Sequence, residues 1–342
     1  MTKKAEFGCL PTAIGSMPHA DPKAACAMVR KHLRLPHWPQ LPKRSPLENM
    51  YVQYSEGLPG ASVSGDKVSV SRETPFDEQL EKLYYADAES KSDDYAVSAE
   101  YAAGLHAFVS SSSGQATLVK GQITGPISLG LCALDENGRG ILYDDMLAET
   151  LAKFLRLKAM WQERYLRTIA ANTVIFFDEP YLTSLGSAFV SIPNEQVTSL
   201  LETVFNGIQG FKGVHCCGST DWSLLLASSA DVLNFDAYNY ADSLSTYVPE
   251  TVAFLKRGSA IAWGIVPNEE ETLAKESVAS LSDRLGEAMA PFTREGVSYK
   301  QLIVQSLITP SCGLASLPFE AAELALSLAA DLSASLRSKY VH

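Results

Sequence analysis

The chain has 342 residues, of which 46% are hydrophobic and 20% charged, a composition typical of a globular protein with a large core. Its net charge of -11 and the lack of a Lys/Arg cluster argue against nucleic acid and anionic membranes as partners. The start has no signal-peptide pattern and no apolar run could span a bilayer, so we expect a cytoplasmic protein. Its six cysteines are too few for a disulfide scaffold, and they are either core residues or metal and catalytic ligands.

Predicted strands and helices alternate over most of the chain. A short strand in 10–19 precedes a helix that ends near residue 32. A stretch at about 35–75, rich in Pro, Gly and Ser, follows it and contains a hairpin around residues 65–66. Helical periodicity then covers 76–107. Later strands are predicted at 116–121, 173–177, around His215, 231–235, 260–265 and 302–308, and later helices at 144–171, 194–209, 222–228, 249–256, 269–290, 298–301 and 318–336.

This alternation predicts a parallel α/β sheet. Seven strands are clear, and an eighth is expected either within the 35–75 stretch or between 125 and 140. At this length a closed (β/α)8 TIM barrel is favoured over a doubly wound sheet. We predict a single domain over residues 1–342, with the barrel at about 10–338. The early excursion at about 35–75 is interpreted as a lid or pocket wall.

A candidate metal site lies in the segment that contains His215, Cys216 and Cys217. Side chains alternate faces along a strand, so His215 and Cys217 point the same way and Cys216 points the opposite way. Together with the distant Cys312, they supply three ligands of the kind that Zn²⁺ prefers, and a catalytic zinc site keeps a further position open. The alternative is that these cysteines are small core residues beside a hydrogen-bonded histidine.

The ends of the predicted strands carry most of the other polar candidates. In a TIM barrel the active site is built at the carboxyl ends of the strands, so these side chains are expected to converge. Asp178 and Glu179 end an apolar strand and are interpreted as functional carboxylates. Asp236 follows the next strand after the one that contains His215. It is interpreted either as a fourth metal ligand or as an outer-shell partner of the imidazole, and the alternative is a helix N-cap.

Several short motifs, taken in order, resemble the catalytic half of cobalamin-independent methionine synthase, over about residues 10–338. That family is grouped with the uroporphyrinogen decarboxylases and the zinc-dependent coenzyme M methyltransferases, which share a barrel. The motifs are Ile14-Gly15-Ser16, Thr124-Gly125-Pro126, Asp178-Glu179-Pro180, His215-x-Cys217, the stretch from Ala230 through Asp236, and Pro310-Ser311-Cys312-Gly313-Leu314.

The resemblance implies a zinc-dependent methyltransferase that transfers a methyl group to a zinc-bound small thiol, plausibly homocysteine, to give methionine. Ser16 and Asp178 match groups that hold the amino-acid part of homocysteine. The implied zinc ligands are His215, Cys217, Cys312 and, at the position of a Glu ligand of the family, Asp236.

Two departures from the family pattern concern the chemistry. The family has a His after the penultimate barrel strand, thought to donate a proton, whereas residues 263–268 contain none. His19 is the candidate replacement for this histidine, and the alternative is that His19 is a surface loop residue. The candidate catalytic residues are therefore Asp178, Glu179 and His19. The carboxylate expected in the early loop has Glu48 as its nearest match.

The methyl donor is therefore left open between methyl-folate and a methylated corrinoid protein. The alternative function is a thiol alkyltransferase that uses a corrinoid-protein donor, as in coenzyme M methyltransferases. A third hypothesis is a zinc-binding barrel without catalysis. Decarboxylation of a substrate with several carboxylates is disfavoured, because no cluster of Arg or Lys is present to bind them.

Overall fold

The computed structural model describes residues 4–73, 75–112, 114–187 and 190–341. Its strands are β1 (Leu10–Pro11), β2 (Ala61–Ser64), β3 (Lys67–Val70), β4 (Ala116–Thr124), β5 (Ala170–Asp178), β6 (Phe211–Cys216), β7 (Val232–Phe235), β8 (Ala260–Val266) and β9 (Ser306–Pro310).

The α-helices fall between these strands and after the last of them. They are α1 (Pro22–His32), α2 (Met50–Gln53), α3 (Phe76–Ala88), α4 (Ala103–Ser110), α5 (Pro126–Cys132), α6 (Asp145–Leu166), α7 (Asn194–Phe205), α8 (Trp222–Ala227), α9 (Ala237–Ser245), α10 (Val248–Lys256), α11 (Glu270–Leu273), α12 (Val278–Arg294), α13 (Tyr299–Val304) and α14 (Phe319–Tyr340).

Seven of the strands form one parallel sheet in the order β1-β9-β8-β7-β6-β5-β4. The predicted parallel α/β architecture is confirmed by this sheet. The predicted hairpin is confirmed as well, since β2 and β3 pair antiparallel as a separate two-stranded sheet. The predicted closed eight-stranded barrel is not confirmed by this sheet, because the seven paired strands leave two edges, β1 and β4.

The start of the early excursion lies against both edges of the sheet. His37 makes a parallel bridge with Lys120 of β4, and Gln40 makes one with Ser16, which follows β1. The Lys120 amide donates to the Pro36 carbonyl at 2.9 Å. The sheet is therefore curled, because one short segment reaches both of its edges.

Two apolar clusters hold the sheet in place. The larger one fills the space between the outer face of the sheet and the helices, where α6 alone contributes a long run of buried residues. The smaller one lies on the inner face and includes Phe176, Val232, Ala262 and Leu307. The register shows that Phe176 lies on the inner face that β5, β6 and β7 share. Inward residues that follow this cluster along the strands therefore lie at the carboxyl ends of the sheet.

The structure differs from the predicted elements mainly at their ends. The helix predicted at 298–301 is found as α13, which is capped where the Ser298 hydroxyl accepts a hydrogen bond from the Gln301 amide. It continues to Val304, so the first residues of the strand predicted at 302–308 are helical. The strand follows only at Ser306–Pro310. The helix predicted at 269–290 is two helices, since Ser277 caps a new start with a reciprocal bond to Ser280. Among the described helices, none has the length and apolar composition of a membrane span.

Gly104 of α4 tests the packing of the helix against the early excursion. A Cβ at this position would lie 1.8 Å from the Pro39 carbonyl oxygen, a backbone atom that cannot move aside. We expect Gly104→Ala to lower the free energy of unfolding by about 2 kcal/mol or more, as measured by urea denaturation.

Gly286 of α12 is the matched control, because a Cβ there meets no atom within 4 Å. Gly286→Ala should raise the free energy of unfolding by about 0.5–1 kcal/mol through its better helix propensity. If Gly104→Ala is as stable as the unchanged protein, the described approach of α4 to residues 35–40 is wrong.

Candidate functional site

Three inward side chains line up across neighbouring strands near their carboxyl ends. Asp178 of β5 is in register with His215 of β6, and His215 is in register with Asn234 of β7. All three are buried. Since residues in register across a parallel sheet share a face, the row forms the floor of whatever space lies above it.

His215, Cys217 and Cys312 come together at this floor, as the sequence predicts. Their ligand atoms all lie within 4.8 Å of one another, and Cys312 Sγ lies 3.9 Å from His215 Nε2. Cys312 follows β9, so the sheet joins residues far apart in the sequence. Cys216 is fully buried and its thiol donates to the Gly218 carbonyl instead, which agrees with the predicted alternation of faces.

Asn234 fixes the orientation of the His215 ring. Its amide nitrogen donates to the Ala262 carbonyl at 2.8 Å and to Thr309 Oγ1 at 3.0 Å, so its oxygen is the atom that faces His215. His215 Nδ1 lies 2.6 Å from that oxygen and must carry the proton. The lone pair of His215 Nε2 is therefore directed toward the two cysteines, in the tautomer that a metal ligand needs.

The donor set fits Zn²⁺. Zinc bonds of about 2.3 Å to sulfur and 2.0–2.1 Å to nitrogen, in tetrahedral geometry, place ligand atoms roughly 3.5–3.8 Å apart. Cys312 Sγ and His215 Nε2 are 3.9 Å apart, close to this spacing. The hydrogen bond that Cys312 donates is the largest of the effects that lower the pKa of Cys217 to about 4, whereas the same interaction and burial raise the pKa of Cys312. One thiolate is thus already favoured, and two sulfurs and an imidazole suit zinc better than Mg²⁺ or Ca²⁺.

A cleft of about 410 Å³ opens above this cluster. Asp178 and His215 of the row described above contribute to its floor, and its walls include the early excursion and the loops that follow β8 and β9. The excursion thus forms a pocket wall, as the sequence predicts. Besides the three candidate ligands, polar side chains that line the cleft include Ser16, Gln40, Glu48, Tyr51, Asp178 and Asn268.

Asp178 lines the cleft and has one carboxylate oxygen without a hydrogen-bond partner among the described residues. This oxygen, Oδ1, is buried. Burial raises the pKa of Asp178 to about 6, while the positive charge of Lys120 acts to lower it. A buried oxygen without a partner is costly, so this one is a natural acceptor for a polar group that enters the cleft.

Glu48 is the second carboxylate of the cleft, and it is the nearest match in sequence to the carboxylate that the resemblance expects in the early loop. Its Oε1 accepts from Arg44 at 2.9 Å and its Oε2 from the Leu41 amide at 3.2 Å. Burial raises the pKa of Glu48 and the Arg44 charge opposes the shift. Ser16 lies on another wall, against Gly313: a Cβ at Gly313 would lie 2.2 Å from Ser16 Oγ, so only glycine leaves room for that hydroxyl.

Glu179, predicted to be catalytic, lies outside the described cleft lining. Its Oε1 accepts from the Ile127 amide at 2.9 Å, and its Oε2 accepts from the amide and the hydroxyl of Ser128 at 2.7 and 2.6 Å. Glu179 therefore holds the first turn of α5. Burial raises its pKa to about 7 against these hydrogen bonds.

His19 and Asp236 are also placed apart from the three ligands. The ring of His19 is buried edge-on against Phe319 at 4.8 Å, away from the described cleft lining, and burial lowers its pKa. The carboxylate of Asp236 caps α9, where it accepts from the Asn239 amide at 2.9 Å and from the Asn239 side chain at 2.7 Å. Zinc coordination by Asp236 stays a prediction.

Asn234 and Asn268 are the residues that sequence reasoning missed. Asn234 is the polar residue of a short strand that is otherwise apolar, a signal that could have been read. Asn268 stands after β8, where the resemblance expects a His. It lines the cleft, and its Oδ1 accepts from the Ser311 hydroxyl at 2.8 Å. An amide cannot supply a proton as an imidazolium can.

Comparison with known proteins gives a likeness in structure alone. The sequence matches no family model and no curated protein. A B12-independent methionine synthase from Shewanella sp. W3-18-1, solved in complex with selenomethionine, is 13% identical and aligns over 98% of this chain and 99% of that one, with a TM-score of 0.57.

Two further structures are similar in the same way. A putative vitamin-B12 independent methionine synthase from Listeria monocytogenes is 16% identical over 92% of this chain and 85% of that one, with a TM-score of 0.56. A methyltransferase from Methanosarcina mazei is 14% identical over 96% and 98%, with a TM-score of 0.54. The chain has the fold of these proteins. The resemblance seen in the sequence is confirmed at the level of the fold.

Asn234 generates a prediction for metal binding. Asn234→Leu removes the acceptor that selects the His215 tautomer, so the affinity for Zn²⁺ should fall about 10- to 100-fold. Competition with a chromophoric chelator measures this affinity. The control is Asn172→Leu, because Asn172 is an exposed residue of β5 that lies far from the candidate ligands along the strand. Its side-chain amide donates to the Thr117 carbonyl at 3.3 Å. Equal zinc affinity in both variants would contradict the role given to Asn234.

Proposed function

We propose that the protein is a zinc-dependent methyltransferase that transfers a methyl group to a small thiol, with homocysteine as the substrate that fits best. The observation that carries the proposal is the group formed by His215, Cys217 and Cys312 at the floor of the cleft, with His215 Nε2 turned toward the two sulfurs. The fold shared with B12-independent methionine synthases supports it.

The three side chains would hold Zn²⁺, and a bound zinc ion would supply the charge that keeps a substrate thiol deprotonated. A free thiol has a pKa near 8.5, so only a few per cent of it is thiolate at pH 7. In the transfer, the substrate sulfur loses its proton and forms a bond to the methyl carbon. The bond from that carbon to the donor breaks, and its electron pair stays with the donor.

The walls of the cleft offer partners for the amino-acid part of homocysteine. The free Oδ1 of Asp178 can accept from the ammonium group, and Glu48 adds a second anionic wall. The hydroxyl of Ser16 can donate to the carboxylate. The Shewanella structure is described in complex with selenomethionine, the selenium analogue of the expected product, which supports an amino acid as the ligand.

The donor is either methyl-folate or a methylated corrinoid protein. A folate donor leaves as an amine that must gain a proton, whereas the cobalt of a corrinoid leaves without one. Asn268 stands where the resemblance expects a proton-donating His, and this observation favours the corrinoid as a second candidate donor. Catalytic roles for His19 and Glu179 stay predictions.

We further propose that residues 35–40 take the eighth position of a closed barrel, supported by their bridges to both edges of the sheet. The single domain over 1–342 and the cytoplasmic location stay predictions of the sequence.

Metal content of the protein purified without added zinc tests the site. We expect about one zinc per chain in the unchanged protein and little in Cys312→Ser, together with loss of methyl transfer to homocysteine. Cys216→Ala is the matched control, because Cys216 is a neighbour in sequence whose thiol faces the other way, and it should keep both zinc and activity. Full activity in Cys312→Ser would disprove the proposal.

The donor is tested by offering methyl-tetrahydrofolate and methylcobalamin separately, with homocysteine as acceptor, and measuring methionine. Turnover with methylcobalamin alone would assign a corrinoid donor, and turnover with the folate would assign folate. Cobalt substituted for zinc provides the control for binding: if no thiol changes the cobalt absorption bands, a non-catalytic zinc protein is the better description.

A further inference from the structure

Lys120 is a fully buried cation beneath the cleft. It lies in β4, in register with Val174 of β5, and its Nζ lies 4.6 Å from the centroid of the Phe176 ring. Phe176 precedes Asp178 by two residues in β5, so the two side chains share the inner face. The ammonium of Lys120 is therefore one layer of side chains below the carboxylate of Asp178.

This ammonium donates two hydrogen bonds, both to neutral acceptors. Lys120 Nζ donates to the Ile14 carbonyl and to Gln122 Oε1, the latter at 3.3 Å. Lys120 and Asp178 form no ion pair within 4.0 Å, and Asp178 Oδ1 has no hydrogen-bond partner among the described residues. The positive charge of Lys120 acts on the Asp178 carboxylate and lowers its pKa against the effect of burial. Lys120 nevertheless does not occupy the Oδ1 atom.

This arrangement differs in its effect from a direct ion pair. A buried carboxylate without a nearby positive charge is too costly to be kept as an anion. A lysine bonded directly to it would compete with any cation that enters the cleft. A lysine held at a distance by neutral groups balances the carboxylate without competing for its oxygen. The cation–π contact with Phe176 helps to hold the Lys120 ammonium in this position.

We infer that Lys120 is a positioning residue that acts through Asp178: it balances the buried carboxylate, and the free oxygen then selects thiols that carry an ammonium group. The inference rests on the proposed function and deepens it, because it assigns the discrimination between amino-acid thiols and simple thiols to a residue that does not line the cleft.

The test compares two acceptors, homocysteine and 4-mercaptobutanoate, which has the same thiol and carboxylate but no amino group. In Lys120→Met, KM for homocysteine should rise roughly tenfold or more, with little change in kcat, while KM for 4-mercaptobutanoate stays as it was. Zinc content is measured on the same samples and should be unchanged. Lys120→Gln keeps a donor for the Ile14 carbonyl without the charge, and it should give the same result if the Met variant does not fold.

Lys158→Met is the matched control for the removal of a buried lysine. Lys158 of α6 is also fully buried, donates to the Ala96 carbonyl at 3.1 Å and lies over the Phe154 ring at 5.1 Å, outside the cleft lining. It should leave the ratio of the two KM values unchanged.

Two results overturn the inference by itself: an equal rise in KM for both thiols in the Lys120 variants, or an unchanged KM ratio in a variant that folds. If the unchanged protein methylates neither thiol, the proposed function fails together with the inference. These outcomes are distinguishable, because the first two require an active parent protein.

Discussion

The parallel register of β5, β6 and β7 is the constraint on which the site depends. It sets Asp178, His215 and Asn234 side by side on one face, at the height where the strands end. From this row, the chain beyond β6 places Cys217 next to the imidazole, and the loop after β9 brings in Cys312. A shift of one strand by a single residue would turn its member of the row to the outer face. The geometry of the candidate metal site therefore depends first on how these strands pair.

Three buried carboxylates show three ways to accommodate a negative charge. Glu48 is paired directly with Arg44, and Glu179 is satisfied by backbone amides and a hydroxyl at the start of α5. Asp178 alone keeps a free oxygen, with Lys120 as a distant positive charge. These differences in partner decide which carboxylate is available to a ligand, although in sequence Asp178 and Glu179 are neighbours.

Local patterns in the sequence are sufficient for much of this description. The alternation of apolar strands and helices predicts the parallel sheet, and the types and spacing of His215 and Cys217 predict two ligands on one face of a strand. Cys312 is added to them through the expected barrel and the family resemblance. Part of what escapes the sequence depends on partners elsewhere in the chain. The contact of Asn234 with His215 needs the register, and a helix-capping carboxylate such as Asp236 looks in sequence like one that binds a ligand. The strand predicted at 302–308 is found at 306–310, because the helix that starts after Ser298 continues to Val304 through apolar residues that also suit a strand.

The position of Cys312 has a consequence for how the protein is made. During synthesis the amino-terminal part of a chain leaves the ribosome and begins to fold first. His215 and Cys217 are thus exposed on the nascent chain well before Cys312 exists, and two ligands hold zinc far less firmly than three. Under the proposed function, metal capture waits for β9 to close onto β8. Chains that terminate early, or whose last strand fails to dock, would then lack the third ligand. Zinc would be bound only by completed molecules.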